Sequence, residues 1–221
     1  DALDIAVDVA AGARATLTTP GATRWYKANG NTASQTMRLS AGPGACLDWL
    51  PLENIFFEQT NAQLATEVDL DPDALAVGWE ISQLGSITKP THWDAGQART
   101  RTTLRVGGRL LWIEQGTVGA SDAIRQSITG LAGQPVHASL WCFGPQQDKA
   151  QLDALTDSLP WSQWLRAGMT VMHYDGSKAL YLVRAIGLHA EDVRKLLIRI
   201  WLHLRQQVLG FPATPLRLWN T

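Results

Sequence analysis

This 221-residue sequence predicts a mostly β fold: a large antiparallel β-rich scaffold with two α-helices, the longer near the C-terminus. Three observations predict it. Apolar and polar residues alternate with a period of two through the first two-thirds of the chain. Turn-forming clusters separate the alternating runs, and two later stretches switch to spacings of three and four.

The alternation is explicit. Leu3, Ile5, Val7 and Val9 alternate with Asp4, Ala6, Asp8 and Ala10, and Leu64, Thr66, Val68 and Leu70 with Ala65, Glu67, Asp69 and Asp71. Leu75, Val77, Trp79 and Ile81 face away from Ala76, Gly78, Glu80 and Ser82; Thr100, Thr102, Leu104 and Val106 alternate with Arg99, Arg101, Thr103 and Arg105. Each run reads as a strand with one packed and one wet face. Pro20-Gly21, Asn29-Gly30-Asn31, Ala41-Gly42-Pro43-Gly44, Asp71-Pro72-Asp73 and Gly107-Gly108 supply the turns.

Residues 148–159 read as a short helix, with Leu152, Leu155 and Leu159 on one side and Pro160 ending it. Residues 190–209 read as a longer one, with a stripe of Val193, Leu197, Ile200, Leu204 and Val208. Glu191 and Asp192 occupy its first turn, where the helix dipole favours negative charge, and Gly210 and Pro212 supply the stop. Residues 121–131 carry a weaker helical signal, diluted by Gly and Ser. No fixed-period repeat or linker is legible, so residues 1–221 read as a single domain.

Composition excludes several classes. Hydrophobic residues make up 45% and charged residues 18%, an ordinary globular balance. The net charge of -1, with scattered Lys and Arg, leaves no basic footprint for nucleic acid. No apolar run is long enough to span a bilayer. Cys46 and Cys142 make no disulfide framework and read as reduced thiols of a cytoplasmic protein. The chain opens at Asp1, without methionine and inside a strand-like run, so we expect residues upstream of it.

Catalytic signatures are lacking in the sequence. The five histidines, His92, His137, His173, His189 and His203, lie far apart, with no His-Glu-x-x-His or Cys-x-x-Cys spacing. Gly42-Pro43-Gly44 and Gly107-Gly108 open no helix and lack a following Lys, so they read as turns, not phosphate loops. No Gly-x-Ser-x-Gly elbow is present. Ten tryptophans are the unusual feature. Most read as core residues, and some, beside arginine, as interface anchors. Arg24, Trp25, Tyr26 and Lys27, just after the Pro20-Gly21 turn, are the first candidate patch; Arg217 and Trp219 in the tail are the second. The open alternatives are a β-rich carbohydrate- or small-molecule-binding module and a hydrolase on a β scaffold.

The same segments carry a family resemblance. Leu17-Thr18-Thr19-Pro20-Gly21-Ala22-Thr23-Arg24-Trp25-Tyr26-Lys27 resembles the T-T-P-x-A/G-x-x-K/R-W/Y-Y signature of the urease accessory protein D family, called H in some species. Leu47-Asp48-Trp49-Leu50-Pro51-Leu52-Glu53-Asn54-Ile55-Phe56-Phe57 is similar to its L-E-W-L-P-x-E-x-I-x-F segment. Gly78-Trp79-Glu80 with Leu84-Gly85, Val183-Arg184-Ala185-Ile186-Gly187, and the ending Trp201-Leu202-His203-Leu204-Arg205 followed by Pro215 to Thr221 match in family order. Three features depart: a family N-terminal segment ending in Gly-Gly-Asp would precede Asp1, residues 86–91 do not follow the family loop, and Leu216 replaces a common second proline.

The resemblance implies a β-rich, non-catalytic scaffold for urease maturation. It would bind apo-urease and accessory protein F, with the GTPase accessory protein G reached through F, and assist nickel delivery. No cofactor is expected to bind tightly, and Ni2+ would pass transiently. A conduit needs weak, sequential oxygen and nitrogen ligands, because a tight cage would not release the ion. Asp48, Glu53, Glu58, Glu80, His137 and His173 are the candidate path.

Overall fold

The computed structural model describes residues 1–88 and 92–220. The chain begins by winding in coils. Strands β1 (Ala2–Val9), β2 (Arg14–Leu17) and β3 (Thr23–Trp25) form the first; β4 (Ala33–Ala41), β5 (Cys46–Trp49) and β6 (Asn54–Phe56) form the second. In the third, β7 (Thr60–Leu70) is followed by β8 (Leu75–Leu84), long enough to pair with both β5 and β6. Each strand lies parallel to its counterpart in the next coil. The step between partners is nearly constant. Ala2 pairs with Ser34, Arg14 with Cys46 and Thr23 with Asn54, a step of 31 or 32 residues. Ser34 pairs with Gln63, Cys46 with Leu75 and Asn54 with Ser82, a step of 28 or 29.

Strand β9 (Gly96–Val106) adds one more parallel strand beside β7, and then the direction reverses. Gly107 and Gly108, at φ 56° and 76°, form the turn into β10 (Arg109–Gly119), antiparallel to β9. Positive φ at both central residues matches the twist of paired strands, and glycine accepts it without strain. Strand β11 (Val136–Pro145) then pairs antiparallel with β8. After helix α1 (Lys149–Asp157), β12 (Leu165–His173) and β13 (Lys178–Gly187) extend the same sheet antiparallel. Helix α2 (Ala190–Gln207) and a final 3-10 turn at Arg217–Asn220 complete the chain.

The strand-rich class and the two helices agree with the sequence reading. The antiparallel expectation needs correcting for the N-terminal half, where the coils pair in parallel, and it holds from the β9–β10 hairpin onward. Alternation reports which face is buried, and that signal is the same for either strand direction. The coils also constitute a structural repeat that the sequence hides, because their steps differ by a few residues and their side chains are not alike. Of the departing segment 86–91, the structure describes Ser86 to Thr88, and Thr221 also lies outside the described residues.

Three layers result. One sheet runs β1-β4-β7-β9-β10; the other runs β12-β13-β11-β8-β5-β2, with β3 and β6 continuing beside β8. Leu39, Val68, Leu104 and Val106 of the first meet Leu47, Trp141, Phe143 and Leu182 of the second. Trp25, Phe56, Leu64, Leu84 and Trp93 fill a separate core between the sheets. On the outer face of the second sheet, Val77, Trp79, Leu140 and Val183 receive the stripe Val193, Leu197, Ile200, Leu204 and Val208. Helix α1 is capped by Asp148, whose carboxylate accepts from the Gln151 N–H at 2.8 Å. Within 121–131 only a 3-10 turn at Ala123–Arg125 forms. Among the described residues no helix is long and apolar enough to cross a membrane.

Candidate functional site

The two sheets enclose a polar seam. Residues at even positions of β8 point toward the first sheet, which places Glu80 and Ser82 between the layers. Strand register then builds two facing rows. On the first sheet Thr66 pairs with Thr102, and Thr102 with Glu114. On the second, Glu80 pairs with Ser139, and Ser139 with Arg184. The rows are stitched together: Thr66 Oγ1–H donates to Glu80, and Ser139 Oγ–H to Glu114. At the outer end Arg184 Nε donates to Glu114 Oε2 at 2.7 Å, with the other guanidinium nitrogen on the same carboxylate.

Two small cavities flank Glu80. One, about 30 Å3, is lined by Glu80, Ser82, Thr102, Glu114, His137 and Ser139. The other, about 20 Å3, adds Gln35, Asn54 and Thr66 and is again lined by Glu80. Each is on the scale that holds a water-sized guest. Burial pushes Glu80 up to about 7; hydrogen bonds from Thr66 and Thr102 oppose that shift, and the Glu114 charge adds to it. Burial holds His137 down, at about 4, against the opposing pull of Glu114, so its imidazole is neutral at pH 7. His137 Nδ1 has no hydrogen-bond partner. The seam therefore offers carboxylate, hydroxyl and neutral imidazole groups in sequence rather than in a cage. Among the described residues, no three His, Cys, Asp or Glu side chains converge as a metal-holding group.

Of the six residues proposed for a nickel path, the seam gathers Glu80 and His137. Asp48 and Glu53 lie on the helix side of the second sheet. Asp48, at 0% exposure, accepts from Arg205 Nε at 2.7 Å and from Thr16 Oγ1–H at 2.8 Å. Glu53 pairs with Arg194. Glu58 accepts the backbone N–H groups of Asp94 and Ala95 at 2.8 and 3.0 Å, and His173 is exposed at the end of β12. Arg205 thus ties the β body to the last helix, whereas Arg184 serves the seam. The sequence reading missed Glu114, Thr66, Thr102 and Ser139. Glu114 was not readable from the Gly107-Gly108 turn: counting outward from that hairpin sets it opposite Arg101, and a bulge between Leu110 and Trp112 shifts the register so that it faces Thr102.

The first proposed partner patch divides in two. Trp25 is buried against Phe56, with Nε1–H donating to Asn54 at 3.0 Å. Tyr26 stays 63% exposed and stacks on Phe57 at 5.2 Å, and Arg24 and Lys27 are exposed beside it. In the second patch Trp219 is buried between Trp79 and Trp201, and Arg217 is exposed.

The family model described as UreD urease accessory protein matches residues 1–220. The chain is 52% identical over 221 residues to a urease accessory protein UreD of Bordetella pertussis, covering all of this chain and 78% of that protein. It is 40% identical to one of Cupriavidus pinatubonensis, covering 76% of it, and 38% identical to one of Polynucleobacter asymbioticus, covering 74%. The motifs and these full-length matches agree: the chain belongs to the UreD family of urease accessory proteins, whose role is in urease maturation.

Proposed function

We propose that this protein is a non-catalytic cytoplasmic scaffold that docks apo-urease and accessory protein F, reaches the GTPase accessory protein G through F, and lets nickel pass along the seam between its sheets. The supporting observation is the row of Glu80, Glu114, His137, Thr66, Thr102 and Ser139 set between two apolar cores. A polar belt through the middle of a β-sandwich forgoes apolar packing, and each of its groups needs a partner. A cation entering either cavity favours the ionised form of Glu80 and meets hard and borderline ligands one after another. Spread along two strands, these ligands attract an ion without trapping it.

The test has two arms. Tagged protein from cells expressing a urease operon should retain urease subunits and accessory protein F. The double variant Glu80→Gln, Glu114→Gln should still form that complex but leave the urease deficient in nickel. A complex that forms normally and loads nickel at the normal level without either carboxylate would remove the seam from the mechanism.

A further inference from the structure

Arg184 belongs to two neighbourhoods at once. Its guanidinium closes the outer end of the seam on Glu114, and it also lines a surface groove of about 530 Å3 beside β12 and β13. The other principal walls of that groove are Ile128, Trp161, Arg166, Ala167 and Ile186. Ile128 and Trp161 are 81% and 78% exposed, high values for large apolar side chains, and Trp164 at 59% stands close by in sequence. The charged lining is all arginine: Arg166 sits 5.9 Å from the Trp161 ring centroid, and Arg184 is shared with Glu114. Among the described residues, no carboxylate lines the groove.

We infer that this groove docks a segment of a protein partner that places a carboxylate beside an apolar side chain, and that the incoming carboxylate competes with Glu114 for Arg184, opening the outer end of the seam. The apolar walls and the arginine-only charge are complementary to such a segment and to no basic one. Arg184 holds Glu114 through Oε2 alone, since Oε1 accepts from Ser139, so an incoming carboxylate that offers the guanidinium two oxygens is the better partner and docking and opening become one event. The opening half rests on the nickel-passage reading above; the docking half does not.

The experiment uses the intact protein and a dye-labelled, capped hexapeptide of alternating Leu and Glu, with a Leu/Gln peptide as control. Binding is followed by fluorescence polarisation. Reactivity of Glu114 toward carbodiimide-driven amidation is followed by mass spectrometry. We expect saturable binding of the Glu peptide, about tenfold tighter than the Gln peptide. Binding should weaken by about the same factor in Arg184→Gln and in Trp161→Ala, both checked for an unchanged circular dichroism spectrum. Amidation of Glu114 should rise when the Glu peptide is bound. Equal binding of the two peptides, unchanged binding in Arg184→Gln, no saturable binding at all, or no rise in Glu114 labelling would each overturn the inference. Docking with the expected labelling, alongside normal nickel loading in the Glu80 and Glu114 variants, would retire the passage and leave the groove standing.

Discussion

The sheet that contains β8 carries acids on both faces, and the two faces treat them differently. On the helix side, Asp48 and Glu53 each meet an arginine of α2, Arg205 and Arg194, eleven residues or three helical turns apart. On the inner side, Glu80 shares one cavity with hydroxyls, a neutral imidazole and Glu114 of the facing sheet, and one arginine, Arg184, stands at the rim. The helix-side acids are matched one for one and lock a helix in register. The seam acids outnumber their cation and keep the capacity to receive another. A carboxylate set inside the fold thus has opposite meanings on the two faces, and the partner list decides which.

The most direct way to break this contrast is Arg205→Ala. Asp48 is fully buried, and its Oδ1 already lacks a hydrogen bond, so removing the guanidinium leaves an uncompensated charge in the core. The expected loss is about 3–5 kcal/mol, read as a fall in the urea midpoint. A loss below about 1 kcal/mol would mean that the helix side tolerates an unpaired acid as well as the seam does. The distinction would then collapse.

Next in size is Gly78→Ala, which probes how tightly the seam is walled. Gly78 pairs with Trp141 across β8 and β11, and a Cβ there would overlap the Trp141 ring, which lines the cavity beside Glu80. Overpacking of this kind costs roughly 1–3 kcal/mol. Thermal unfolding should show a lower Tm; an unchanged Tm would show that Trp141 can move and that the seam is softer than its geometry.

Much of the helix side was legible in advance. The stripe on α2 and its first-turn acids follow from a 3.6-residue period that hardly depends on context, and the buried face is the predicted one. The strands were legible as strands, but their partners were not: parallel coils pair residues about 30 positions apart, and nothing local encodes that distance. The seam was hidden for a subtler reason. Glu80 and Ser82 alternate with apolar neighbours as a solvated face would, and here that face looks into the gap between the sheets, where it meets Thr100 and Thr102. Tryptophan misled in the reverse direction: Trp25 and Trp219, read as anchors, are buried, while Trp161 and Trp164 lie exposed beyond the motifs.

Smaller again is the effect of Glu80→Gln, whose value lies in its pH dependence. The folded state holds the Glu80 proton up to about pH 7, against an ordinary value of 4.5. Between those pH values the folded state binds more protons than the unfolded one, so this group makes stability fall as pH rises. Glutamine removes the penalty. The variant should nearly match the parent near pH 4.5 and exceed it increasingly as pH rises toward 8. His137 acts in the opposite sense, its contribution being lost as pH falls through 6.5 toward 4, and it cancels when variant and parent are compared at the same pH. A gain that is flat with pH would mean that burial does not hold the proton on Glu80.

The smallest stability effect belongs to Tyr26→Ala, and it isolates recognition from folding. Tyr26 is 63% exposed and rests on Phe57, so its removal should change stability by no more than about 0.5 kcal/mol. Its neighbour Trp25 is the control, because truncating that side chain forfeits the Phe56 stack and the Asn54 hydrogen bond and must lower stability. If Arg24, Tyr26 and Lys27 form a partner surface, Tyr26→Ala weakens retention of urease subunits or accessory protein F in a pull-down while the melting curve stays in place. Retention at the parental level would confine the motif's meaning to Trp25 and its core, and would leave the arginine-lined groove beside β12 as the stronger candidate for contact with partners.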